Sequence, residues 1–237
     1  MYTSLIATQS WSIGRGLGEP RHFCDEKRPA SGNRNLYTQN RGLRVLVRFP
    51  AMDRPDQLHF TEDDEANKLL AGDGLALLIG MLLDQQFPME RAFYGPQLLK
   101  DRLGEDLDEE RIVNWDPDEL AAVFQGPPAI HRYWSAMAKR TQALCQVLIN
   151  EYDGRAENLW ETAESGAELL KRLKALPGFG DGKSRIFVGV LGKRLGVRPE
   201  GWEEKAADWP SVADVASFDD VAVLREQKRA MKAAKKD

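Results

Sequence analysis

The sequence predicts an all-α fold, and three observations carry that expectation. Leu169, Leu170, Leu173 and Leu176 recur at helical spacing, and Ile186, Phe187, Val190, Leu191 and Leu195 do so again shortly afterwards. Leu75 to Leu83 is apolar nearly all round but far short of the roughly 20 residues a membrane helix needs, so it reads as a helix buried at the centre of the protein. Helix starts are also well marked. Asp116-Pro117-Asp118-Glu119 supplies an N-cap and a proline at the first helical position, and Thr61 with Asp64 and Glu65 reads as an N-cap with an acidic first turn.

In chain order, residues 1–51 differ from the rest. Arg15, Arg21, Lys27, Arg28, Arg34, Arg41, Arg44 and Arg48 are set against only Glu19, Asp25 and Glu26, and glycine, serine and asparagine are scattered without periodicity. The stretch reads as a disordered basic extension, of the kind an upstream start codon would add. The rival reading is a basic arm that tracks a DNA backbone. Leu43 to Phe49 could form one short strand. Ordinary globular composition begins at Met52, and the helical domain is expected to run from 52 to 237.

A short helix over Ala66–Leu70 should stop at Ala71-Gly72, and the buried helix should end in Asp84-Gln85-Gln86-Phe87-Pro88. Met89–Leu103 suits a helix with Phe93, Leu98 and Leu99 inward, interrupted at Gly95-Pro96. Leu120, Val123 and Phe124 belong to the helix after Asp116, which Gln125-Gly126-Pro127-Pro128 ends. Ile130-His131-Arg132-Tyr133-Trp134 leads into a long helix with Met137, Ala138, Leu144, Cys145, Leu148 and Ile149 on one stripe and Lys139 and Arg140 opposite. A short helix through Trp160, the pair of leucine-rich helices (166–195), a loop over 196–204 and a basic C-terminal helix over 218–236 complete the chain.

Composition narrows the function. The 237 residues are 42% hydrophobic and 30% charged, enough for a real core. No long apolar stretch marks a signal peptide or membrane span. Two cysteines, Cys24 and Cys145, can build neither a disulfide framework nor a four-thiolate cluster, which points to a reducing cytoplasm. A net charge of −4 argues against a surface coated in nucleic-acid-binding charge, but not against a local basic face.

The chemistry concentrates at Leu176-Pro177-Gly178-Phe179-Gly180-Asp181-Gly182-Lys183-Ser184, which leaves almost no loop between two helices. Gly178 and Gly180 tolerate positive φ and leave the backbone bare, and Phe179 can turn inward. Free amides at the start of the next helix suit a phosphate. Gln85 and Gln86, adjacent amides at the end of a buried helix, are hydrogen-bonding probes.

Leu-Pro-Gly-Phe-Gly, with Ser184 following in an apolar helix, resembles the helix-hairpin-helix (HhH-GPD) DNA glycosylase superfamily, which includes endonuclease III and the alkyladenine glycosylases. A hydrophobic helix ending Leu-Leu-x-x-Gln, here at Gln86, is its other landmark. The resemblance covers roughly residues 66–205. It implies a two-lobed helical bundle and a monomer that binds double-stranded DNA, cytoplasmic and nucleoid-associated. Such a protein flips a damaged base out and cuts its N-glycosidic bond. It further implies that Gly178, Phe179, Gly180, Gly182 and Lys183 grip the backbone. Gln86, with Gln85 beside it, would fill the vacated stack, and His131, Tyr133 and Trp134 would lie near the base pocket. A core or loop role for those three remains the alternative.

The family's lysine falls on Gly182, with Lys183 one residue late, so a lyase is disfavoured and a monofunctional glycosylase expected. The family's catalytic aspartate falls by spacing on Glu200, the leading candidate, with Glu203, Asp208 and Asp214 nearby. The iron–sulfur cluster of endonuclease III has no cysteines here to hold it. No cofactor is expected apart from a monovalent cation at the hairpin, implied by the resemblance alone. A non-catalytic DNA-binding protein that keeps the hairpin is the alternative function.

Overall fold

The computed structural model describes residues 54–234. The expectations for 1–51, the strand at Leu43–Phe49 and the last two lysines lie outside the described residues. Among those described, no strand forms, and the elements are helices.

α1 (Asp64–Gly72) is capped by Asp63, whose carboxylate accepts from the Ala66 amide at 2.8 Å. Thr61 is therefore not the cap. It belongs to a tight turn that the buried Asn67 holds, whose Oδ1 accepts from the amides of Phe60 and Thr61 and from the Thr61 hydroxyl. α2 (Gly74–Leu83) follows a single linking residue, Asp73, which accepts from the Ala76 amide at 3.0 Å. All ten residues of α2 are buried, as its uniformly apolar sequence requires.

α3 (Met89–Leu103) runs unbroken through Gly95-Pro96, which corrects the expected interruption. An interior proline costs about 3 kcal/mol. Gly95 lets Leu83 and Ile130 close in on the helix, to 2.5 and 3.2 Å from where a Cβ would lie. Phe93 and Leu99, also on α3, are fully buried. Burying two such side chains contributes about 1.5–3 kcal/mol each, so packing outweighs the lost hydrogen bond.

α4 (Glu109–Asn114), capped by Asp108, was not expected: its six residues bury only Ile112. α5 (Pro117–Gln125) starts as predicted, with Asp116 accepting from the amides of Asp118 and Glu119. α6 (Trp134–Tyr152) buries Met137, Ala138, Thr141, Leu144, Cys145 and Leu148 on one stripe. α7 (Asn158–Glu161) is a single turn. α8 (Gly166–Ala175) and α9 (Asp181–Arg194) form the hairpin. α10 (Trp202–Lys205) and a 3-10 turn at Val212–Asp214 lie against α9. α11 (Asp219–Ala234) buries Val221 and Leu224, and its Arg225 pairs with Glu90.

α2 packs on α1, α3 and α6, while α4 and α5 pack on α6. α8 and α10 pack on each other and on α9. The buried residues of both groups join in one hydrophobic cluster. Among the described residues, no single helix is long and apolar enough to cross a membrane. The pair α1–α2 meets that length and composition only when taken together, across a 114° bend.

Candidate nucleic-acid interface

The hairpin corner is built by an inward phenylalanine. Phe179 is 4% exposed and meets Phe187 edge-on, with ring centroids 6.0 Å apart. Its amide donates to the Leu176 carbonyl at 3.1 Å, closing the turn. Gly178 takes φ +80°, a left-handed conformation that favours glycine. Gly180 is the N-cap of α9, with φ −77° and ψ 174°, extended backbone open to any residue.

The two glycines therefore do different work: both are exposed, but only Gly178 uses a positive φ, and only at Gly178 would a side chain be crowded. A Cβ on Gly178 would lie 2.6 Å from Leu82 Cδ1 and 3.4 Å from Gln85 Nε2, so the uncovered side of Gly178 faces the end of α2. At Gly180 nothing lies within 4 Å of that position, and at Gly182 only the Trp209 ring, 3.9 Å away. The amides of Gly180, Asp181, Gly182 and Lys183 have no acceptor among the described residues. They are the free donors every helix start carries, here with no side chain capping them. Asp181 leans away, paired with Lys174 at 2.8 Å.

α2 ends against this corner. Lys183 donates from Nζ to the carbonyls of Met81 and Leu82 at 2.6 and 2.9 Å, capping the negative end of the α2 dipole. Burial pushes its amine down to about 8; the Asp84 carboxylate opposes that shift and Arg140 adds to it. Lys183 is thus a strut between two helices: its amine is engaged by two backbone carbonyls rather than free to grip a phosphate, which departs from the backbone grip expected of it, or to act as a nucleophile.

Gln85 is also spent. Its Nε2 donates to the Leu82 carbonyl at 3.0 Å, its Oε1 accepts from Arg140 at 3.1 Å, and its backbone oxygen accepts from His131 Nε2 at 3.2 Å. Gln86 is different: it is exposed and takes φ +51°, a left-handed conformation that costs a non-glycine residue about 1–2 kcal/mol.

His131 is fully buried. The Tyr133 amide donates to its Nδ1 at 3.0 Å, so the ring proton is on Nε2 and is given to Gln85. Burial lowers its pKa, opposed by the bond to Gln85 and reinforced by Lys183, Arg132 and Arg140. A neutral ring engaged at both nitrogens lines no pocket, which corrects that expectation; His131 fixes the path of the chain around Gln85.

Tyr133, by contrast, is 46% exposed, with the Arg132 guanidinium 4.7 Å from its ring centroid. With Trp134, Ser135, Ala136 and Lys139 it lines a hollow of about 400 Å³. Trp134 is half-buried against the core. A larger hollow of about 650 Å³ lies between the turn before α1, α3 and α11, lined among others by Glu90, Arg91, Tyr94 and Arg225.

Glu200 does not join this assembly. It is exposed, and its backbone oxygen accepts from the Gly166 amide at 2.8 Å, where Ser165 and Glu200 form a parallel bridge. That places it at the opposite end of the ten-residue α8 from the corner, about 15 Å away at 1.5 Å per residue. Asp214 is held by Lys193 at 2.6 Å, and Asp208 lies 3.7 Å from Arg185.

The carboxylate beside the corner is Asp84, the C-cap of α2, which the spacing argument passed over. It is half-buried, and burial raises its pKa; Lys228 and Lys183 pull it down and Glu90 pushes it up. Its sequence signal was an acid at a helix C-terminus, directly before the two glutamines. Among the described residues, no group of three or more histidine, cysteine, aspartate or glutamate side chains could hold a metal ion. No protein-family model matches the chain, and no curated protein matches it.

Proposed function

We propose that this chain is a DNA base-excision repair protein, a monofunctional N-glycosylase that acts as a monomer on duplex DNA. One observation carries the reading. Four amides at the start of α9 have no acceptor among the described residues, and the same corner is docked against the helix end that bears the exposed Gln86. A backbone phosphate suits the amides, drawn by the helix dipole. Gln86, already held in a strained conformation, is the side chain available to occupy a vacated stack. Tyr133 and Arg132 offer a flat, cationic platform for a base. The resemblance to the helix-hairpin-helix glycosylases joins these parts into one activity.

The chemistry is hydrolysis without a lyase step, because the Lys183 amine is held by two carbonyls. The carbonyls of Pro177, Gly178 and Phe179 accept no hydrogen bond among the described residues, and they would hold a monovalent cation that steadies the corner and adds positive charge toward the phosphate. The non-catalytic alternative has one observation in its favour, the remoteness of Glu200 from the corner.

The test is incubation of the full chain with duplexes carrying uracil, hypoxanthine, a methylated purine or 8-oxoguanine, followed by alkali. Strand scission after alkali on one of them, and none without it, is the expected result. Salt-sensitive duplex binding with no scission on any would leave the DNA-binding alternative.

A further inference from the structure

We infer that Asp84 is the carboxylate that faces the reacting sugar, in the role the spacing assigned to Glu200. The inference rests on the glycosylase reading.

Its position is one that folding alone disfavours. Asp63, Asp73, Asp108 and Asp116 each sit at a helix N-terminus and accept from one or two amides there. Asp84 sits at the negative end of a fully buried helix, where its charge opposes the dipole. Asp153 also closes a helix, but in full contact with water. Asp84 is half-buried, and among the described residues its carboxylate has neither a hydrogen-bond donor nor an ion-pair partner within 4 Å. The charges that face it are Lys183 from α9, Lys228 from α11 and Glu90 from α3. Lys183 directs two of its three N–H donors at the α2 carbonyls and makes no hydrogen bond to Asp84, whose oxygens stay uncommitted. The neighbours in sequence are Gln85, fixed by three hydrogen bonds, and the strained Gln86. A bare carboxylate is thus rigidly carried beside the side chain that would enter the stack, one helix end from the phosphate-facing amides.

The step balances without a cofactor. The C1′–N bond breaks, and its electron pair leaves with the base, which takes up a proton from solvent. The Asp84 carboxylate stabilises the cation left on the sugar. A water oxygen bonds to C1′ and gives its proton to Asp84, which returns it to solvent.

The experiment needs no knowledge of the damaged base. One duplex carries a protonated pyrrolidine in place of a deoxyribose, mimicking the sugar cation; its partner carries the neutral tetrahydrofuran. The wild-type chain should bind the cationic duplex at least about tenfold more tightly, as close charge pairs do. Asp84→Asn should abolish that preference and leave affinity for the tetrahydrofuran duplex unchanged. Glu200→Gln should keep the preference. Asp84→Asn should also raise Tm by about 1–4 °C, since a charge opposed to the helix dipole is gone. Asp84→Ser replaces it if the asparagine variant does not fold. A preference that survives in the Asp84 variant, or disappears in Glu200→Gln, overturns the inference. Equal binding of both duplexes by the wild type overturns it while leaving DNA binding intact. Failure to bind either duplex overturns the DNA reading, and the inference with it.

Discussion

Alanine at Gly178 and alanine at Gly180 should produce opposite phenotypes, although the two glycines are two residues apart. At Gly178 the left-handed φ of +80° costs alanine about 1–2 kcal/mol. The new methyl would meet Leu82 Cδ1 at 2.6 Å, on a side chain fully buried within α2 that has nowhere to move. Overpacking of that kind adds about 1–3 kcal/mol, for a total of about 2–5 kcal/mol. In a domain of this size that lowers Tm by roughly 4–20 °C. At Gly180 the φ of −77° suits alanine, and the methyl enters empty space. A small loss of N-cap preference is offset by a less flexible unfolded chain, so Tm should stay within about 2 °C. That methyl, however, would project from the cap of the helix whose first amides are free. Fluorescence anisotropy with a labelled duplex at low salt should show Gly180→Ala binding about tenfold more weakly, the loss of roughly one charged contact. Equal destabilisation by both substitutions would refute the packing argument. Unchanged DNA affinity in Gly180→Ala would refute the phosphate argument.

Lys183 titrates near 8 in the fold against an ordinary 10.5, so between those values the unfolded chain holds more protons. Stability should therefore rise with pH across that window, and urea melts of Lys183→Met should show a flatter rise. Cys145 is fully buried, and burial pushes its thiol far above the usual range. In a Cys24→Ser background, Ellman's reagent at pH 8 should find no reactive thiol until urea is added. Asn67→Ala strips the acceptor from the amides of Phe60 and Thr61, and should cost about 2–4 kcal/mol in a thermal or urea melt.

The helices were legible wherever the apolar pattern was long. α2, α6, α8 and α9 follow from leucine spacing, and α5 from Asp116-Pro117, because those signals are local. α4 was not, since a helix that buries only Ile112 has no stripe to read. The cap at α1 was missed by two residues, because whether a threonine caps a helix or a turn depends on Asn67. Pro96 misled for a related reason: α2 compensates for the missing hydrogen bond. At the site, the corner lies against the Gln85 end of α2. What each residue there does was not legible in the sequence. Gly178, Lys183 and His131 turn their functional groups toward other parts of the protein, and no spacing rule reports where a side chain is aimed. Glu200 was placed by counting along the chain, whereas Asp84 lies beside the corner by folding.

The lysine that joins α9 to α2 has a mechanical consequence. With Nζ clamped on Met81 and Leu82 and Gly178 pressed against Leu82, no hinge separates the turn from the most deeply buried helix of the protein. A push on the turn is carried straight into the interior, which barely compresses. Whatever macromolecule is pressed onto that face must itself do the bending.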